Sequence, residues 1–193
     1  MLINFNEKTP LERYKLISNS VIPRPIAWVM TKNHGILNIA PFSYFTPLSS
    51  EPATLLISIG HKTDAEPKDT LKNLRETKKC VISIVGDEHF EKMHLSAATL
   101  DANESEIDAF EIETKTILEN YPPIPNNIQV AYFCDYLQEV ALKDSKTVPT
   151  IVEIKHLYIK DTIITDRETI SFEVQSIGRI GKNYAKLGTR INP

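Results

Sequence analysis

The chain has 193 residues, 41% of them hydrophobic and 24% charged, with a net charge of −3. A domain of this size buries roughly 70% of its unfolded surface, so it needs no disulfide or metal staple, and its charged fraction is too ordinary for wholesale disorder. The charge excludes the basic excess of a general nucleic-acid binder, and apolar runs of about seven residues fall far short of the roughly 20 that a membrane span requires.

The opening stretch MLINFNEKTPLERYK has no basic start followed by an apolar core. No secretory signal is expected there, and a cytoplasmic setting follows. The first predicted strand is Ile26–Thr31. Lys32-Asn33-His34-Gly35 then reads as a hairpin turn, because Asn and Gly tolerate positive φ. Asn38–Pro47, with two prolines and three aromatics, reads as a rigid loop. Further strands are expected at Thr54–Ile59, Cys80–Val85, Val130–Leu142, Thr150–Lys160 and Ile170–Ile177. The last alternates most cleanly: Ile170, Phe172 and Val174 on one side, Ser171, Glu173 and Gln175 on the other. Helices are expected at Asp69–Lys79 and Glu88–Ala98. Turns rather than helical crossovers separate most strands. The pattern therefore predicts a mainly antiparallel barrel with helices packed outside it, in a single domain spanning residues 1–193. Cys80 and Cys134 each lie inside an apolar run and read as free, buried thiols.

Asp101–Glu113 carries six acidic residues and no Lys or Arg. It reads either as a solvated surface stretch or as a mobile flap that Ile107, Phe110 and Ile112 would dock. If it gates a site, its charge should lie near the basic face of Lys72, Arg75 and Lys79.

Several familiar motifs are absent. Gly178, Gly181 and Gly188 are too far apart for a dinucleotide turn. Gly181-Lys182 lacks the Ser/Thr of a phosphate-binding loop. There is no GxSxG and no HExxH. His89 and His94 are five apart, the wrong spacing for paired ligands on a helix, so no metal site is expected. Asn103-Glu104-Ser105 matches a glycosylation sequon, which has no meaning without secretion.

Four segments carry more information. In Ile22-Pro23-Arg24-Pro25, two prolines hold the backbone extended around Arg24, leaving it little entropy to lose on gripping an anion. The alternative is a surface ion pair. Asn38-Ile39-Ala40-Pro41-Phe42-Ser43 offers small polar donors and a small Ala to a flat heteroaromatic ligand, or forms a plain core turn. Lys68-Asp69-Thr70 opens a helix, with Asp69 read as the N-cap; such a terminus attracts phosphate. Its alternative is a solvated basic face, with Leu71 and Leu74 marking the buried side. Gly178-Arg179-Ile180-Gly181 allows close backbone approach to a ligand, or is a C-terminal turn.

In this order and spacing, VIPRPIAWVMT, NIAPFSYFTPLSSEP, KDTLKNL, EIDAF and GRIGKNY resemble the flavin reductase-like family of FMN-binding split barrels, which includes flavoredoxin-like proteins. The resemblance covers roughly residues 15–185. It implies a six-stranded split barrel, a homodimer with FMN at the interface, and flavin contacts at Arg24, Trp28, Thr31, Asn38, Ala40, Ser43, Lys68, Asp69, Thr70 and Arg179. The family often has Ser-Thr where this chain has Met30-Thr31, so Thr31 acts alone. The implied activity is passage of electrons from NAD(P)H through flavin to a small-molecule or protein acceptor, with the chemistry supplied by the cofactor. That agrees with the lack of a catalytic acid/base pair. The alternatives are a non-catalytic FMN electron carrier and a flavin-free small-barrel binding module.

Overall fold

The computed structural model describes residues 1–62, 66–101 and 103–188. After a 3-10 turn at Phe5–Glu7 comes a helix not expected from the apolar pattern: α1, Pro10–Ser20. Its start is a capping box. Glu12 N donates to Thr9 Oγ1 at 3.3 Å, and Thr9 N donates back to the Glu12 carboxylate at 2.9 Å. Pro10 sits in the first turn, where its missing N–H loses nothing.

The core of the molecule is one antiparallel sheet of seven strands: β1 (Ala27–Asn33), β2 (Ile36–Phe42), β3 (Phe45–Ser50), β4 (Ala53–Gly60), β5 (Lys79–Ile84), β6 (Val130–Glu139) and β7 (Thr147–Ile159). Their order is β2-β1-β5-β6-β7-β4-β3. The two edge strands are neighbours in the chain, separated only by Ser43 and Tyr44. The sheet therefore curls until its edges meet in one bent run of chain. The mainly β expectation with few helices is met, but the strand count is seven rather than six. Of the six candidate strands the sheet lacks Ile170–Ile177 and gains two, β2 and β3, which cover Asn38–Pro47, read from sequence as a loop because of its prolines. Pro41 and Pro47 both lie on edge strands, where the lost donor is tolerated. The β1–β2 turn is as expected: His34 and Gly35 have φ of 47° and 84°, the two positive values a tight two-residue hairpin requires.

Alternation splits β1 between two cores. Ala27 and Val29 face a cluster with Phe42, Ile57, Ile59 and Ile82, joined by Leu71 and Leu74 of α2 (Asp69–Thr77). Ile26, Trp28 and Met30 face a second cluster with Ile39, Phe133 and Met93. Met93 belongs to α3 (Phe90–Leu95), shorter than expected because residues 87–89 form a separate 3-10 turn. Cys80 and Cys134 are cross-strand partners, free and fully buried.

One expectation fails. Ile170–Ile177 is not a continuous strand: Ser171–Phe172 pairs with 164–166, and Ile177 pairs separately with Lys186. Ile170 has φ 53° and is 70% exposed, so the chain leaves the extended region where the alternation begins. The segment after it feeds a small hairpin, β8 (Ile177–Ile180) and β9 (Asn183–Lys186). The acidic segment docks through the residues that its second reading named. It contains a short helix, α4 (Glu106–Ala109), and Ile107 and Ile112 are buried in the second core with Phe110 packed against it. Among the described residues no helix is long and apolar enough to cross a membrane.

Candidate functional site

The expected site residues other than Trp28 fall into two groups, at either end of β2. In the first, Thr31 and Asn38 are cross-strand partners beneath α2. Asn38 Oδ1 accepts from Thr70 Oγ1 at 2.8 Å and from Thr31 Oγ1 at 3.4 Å. Thr31 Oγ1 in turn accepts from Asn73 Nδ2 at 3.1 Å. All three of Thr31, Asn38 and Thr70 are buried. Such a network is stabilising only when every member is satisfied, and here the last member is Glu106.

Glu106 is a partner that the sequence did not predict. Its carboxylate accepts from Asn38 Nδ2 at 3.0 and 2.9 Å and from Ile39 N at 3.1 Å. Ser105 Oγ donates to Leu37 O at 2.7 Å. Residues 105–106 thus satisfy the free edge of β2, which would otherwise expose unpaired backbone groups. Burial raises the Glu106 pKa; its hydrogen bonds from Ile39 and Asn38 oppose the rise, and nearby Asp69 adds to it. Asn73 lies three residues beyond Thr70, one helical turn on. That spacing was the available signal for it. Nothing in the local sequence singles out Glu106 among the six acidic residues of its segment.

A cavity of about 280 Å³ opens beside this network, walled by Asp69, Glu76, Asp101, Glu104 and Glu106 against Lys72. Five carboxylates make it hostile to phosphate. Lys68 stands apart from it. It is the N-cap residue of α2, in place of the expected Asp69, whose carboxylate pairs with Lys62 at 2.9 Å. The Lys68 ammonium lies 5.8 Å from the Phe42 ring centroid and has no carboxylate partner among the described residues. Ala40, half-buried, shares the strand face of Asn38 and Phe42. The rest of the expected basic face is engaged: Arg75 forks onto Glu139 at 2.7 and 2.8 Å, and Lys79 lies 3.8 Å from Asp135.

The second group is Arg24, Ser43 and Arg179. Arg24 does not reach outward as an anion grip. It is 5% exposed, and its guanidinium donates to the carbonyls of Ser18, Val21 and Gly181, closing the C-terminal end of α1. Arg24 and Arg179 exchange backbone hydrogen bonds of 3.0 and 2.8 Å. The Arg179 guanidinium stacks 4.2 Å over the Tyr184 ring. The flanking glycines serve packing, not a ligand: a Cβ on Gly178 would come within 2.6 Å of Pro23 Cβ, and Gly181, at φ 51°, backs onto Asn19. Trp28 belongs to neither group. It is fully buried, with Nε1 donating to Ser96 Oγ at 2.9 Å, and it supports β1 from behind.

At the start of α2 a cation without a carboxylate partner among the described residues thus lies near the Phe42 end of an edge strand. The chain belongs to the flavin reductase-like family, a flavin-binding family: the flavin reductase like domain matches residues 19–168. A relative from Aquifex aeolicus, described only as an uncharacterized protein, is 34% identical over 173 residues, covering 89% of this chain and 87% of its own. Among solved structures, nitrilotriacetate monooxygenase component B from Bacillus cereus superposes with a TM-score of 0.90 at 27% identity, covering 100% of this chain and 98% of the other. The Pseudomonas fluorescens 2-nitrobenzoate 2-nitroreductase NbaA gives 0.89 at 27% identity, covering 100% and 95%.

Proposed function

We propose that the protein is an FMN-dependent oxidoreductase passing electrons from NAD(P)H through flavin to an acceptor. The observation that carries this reading is the Lys68 ammonium, without a carboxylate partner among the described residues, at the N-cap of α2 next to the Asn38–Ala40–Phe42 face. When bound, FMN supplies hydride acceptance and onward electron transfer. The chain's residues bind and orient. Lys68 and the free N–H groups at the start of α2 hold the phosphate. Asn38, Thr31 and Thr70 lock β2 against α2 through their shared hydrogen bonds. Ala40 offers no more than a methyl group, so a flat ring can approach the strand. Asp69 is engaged in an ion pair with Lys62. Arg24 and Arg179 brace the chain between α1 and the β8–β9 hairpin.

The same reading takes residues 1–193 as one domain in a cytoplasmic homodimer. Leu48, Leu137, Leu142 and Leu157 are each about half exposed or a little less, as a subunit contact requires. The test is spectral. The purified protein, supplied with FMN, is expected to be yellow and to bleach with NADH or NADPH in the absence of air. Failure to take up FMN refutes the proposal. Uptake without bleaching refutes the nicotinamide step and leaves an electron carrier.

A further inference from the structure

We infer that a second cavity, on the opposite face of β2, is a seat for a small planar aromatic carboxylate. It is about 150 Å³, walled mainly by Tyr14, Pro41, Ser43, Met93, Arg179 and Tyr184. An apolar protein cavity of about 150 Å³ accommodates one benzene ring, and two of these walls are tyrosine rings. The size and lining therefore suit a single six-membered ring.

The charge of the site sets the rest of the ligand. Arg179 is the charged side chain in this wall. Its Nε donates to Gly181 O at 3.2 Å, and its two terminal amino groups have no hydrogen-bond partner among the described residues. Arg24, paired with it through the backbone, touches only carbonyl oxygens and the face of Tyr44, and its buried Nε is without a partner among the described residues. Neither arginine faces a carboxylate there. The Arg179 guanidinium in this half-closed site lacks a carboxylate counter-charge among the described residues, and an anion supplies it. A carboxylate matches the fork of a guanidinium with two parallel hydrogen bonds. The ring of Tyr184 already fixes that fork, with its own hydroxyl 3.1 Å from His94 Nδ1. Ser43 adds a hydroxyl to the same wall. The ligand is thus a benzoate-like monoanion. That it is the electron acceptor rests on the proposed flavin function; that it binds does not.

The test is calorimetric titration of the purified protein, with and without added FMN, using benzoate, benzamide and inorganic phosphate as probes. Benzoate is expected to bind well ahead of the other two. Arg179→Gln should weaken benzoate by about tenfold or more, through removal of a charge-assisted hydrogen bond, and leave benzamide unchanged. Ser43→Ala should weaken benzoate less and keep the fold, so it decides the matter if Arg179→Gln misfolds. No benzoate binding at millimolar concentration overturns the inference. Benzamide binding as well as benzoate overturns the charge argument. Phosphate binding as well as benzoate reveals a bare anion site and overturns the aromatic part. If benzoate binds and FMN does not, the inference stands while the flavin reading fails.

Discussion

Glu106 is where the described polar network is most exposed to a single substitution. Replacing it with Ala removes the acceptor of three hydrogen bonds and leaves two buried donors, Asn38 Nδ2 and Ile39 N, without a partner. Each buried donor left unsatisfied costs about 1–3 kcal/mol, so Glu106→Ala should lose about 2–6 kcal/mol. For a domain of this length that corresponds to a fall in Tm of about 5–20 °C. Glu106→Gln isolates the charge. The folded-state pKa of Glu106 is raised, with burial the largest cause. Its contribution to stability is therefore fully present below the ordinary Glu value of about 4.3 and is lost as pH rises through the raised folded value. Gln does not titrate. The stability difference, Gln variant minus wild type, should move in favour of Gln as pH rises across that window, by at most about 1.4 kcal/mol per pH unit. Urea unfolding followed by circular dichroism from pH 4 to 8 measures both effects. An Ala variant within about 1 kcal/mol of wild type, or a Gln difference that falls with pH, would refute the account of this network.

Three other outcomes are expected. Lys68→Ala should weaken FMN about tenfold or more while sparing riboflavin, which has no phosphate for the ammonium to hold; equal weakening of both in fluorescence titrations would remove Lys68 from the site. Cys80 and Cys134 are fully buried, and the hydrogen bond with Cys80 together with burial raises the Cys134 pKa well above its ordinary value; a thiol reagent should label neither until the protein is unfolded. Thr9→Ala breaks the capping box of α1 and should cost about 1 kcal/mol in chemical denaturation; a change of 3 kcal/mol or more would mean that Thr9 does more than cap.

The sequence disclosed those features that rest on local chemistry. The positive φ values at His34-Gly35, the buried stripe of Leu71 and Leu74, and the strands around Ala27–Val29 and Cys80–Ile82 follow from turn preference and periodicity. The Thr9-Pro10-Leu11-Glu12 capping signal for α1 is equally local, but the helix behind it buries too little apolar surface to show a clear stripe. What periodicity does not contain is partnership. Ile170–Phe172–Val174 alternates better than Ile36–Phe42, yet the first has little to pair with and the second is held by β1. In the site, Asn38, Ala40 and Lys68 do share one region. Arg24 reads as an anion grip only until α1 is known to end beside it, since its carbonyl partners lie at Ser18 and Gly181, on separate elements. Glu106 is invisible for the same reason: its role is fixed by the edge of β2, 67 residues earlier in the chain.

The bend at Ser43-Tyr44 makes residues 36–50 a ruler that tolerates no change of length. Asn38 and Ser43 are about 17 Å apart along it at strand spacing, and the stretch supplies both edges of the sheet. One residue inserted between Ala40 and Ser43 would reverse the facing of everything on one side of it, parting the two cavities from their polar walls and shifting β3 against β4. By contrast, residues 140–146 join β6 to β7 through exposed chain, where added length leaves both ladders in register. A library of single-residue insertions should therefore show a sharp gap across 36–50 and ready acceptance near 143, a pattern set by the closure of the sheet rather than by burial alone.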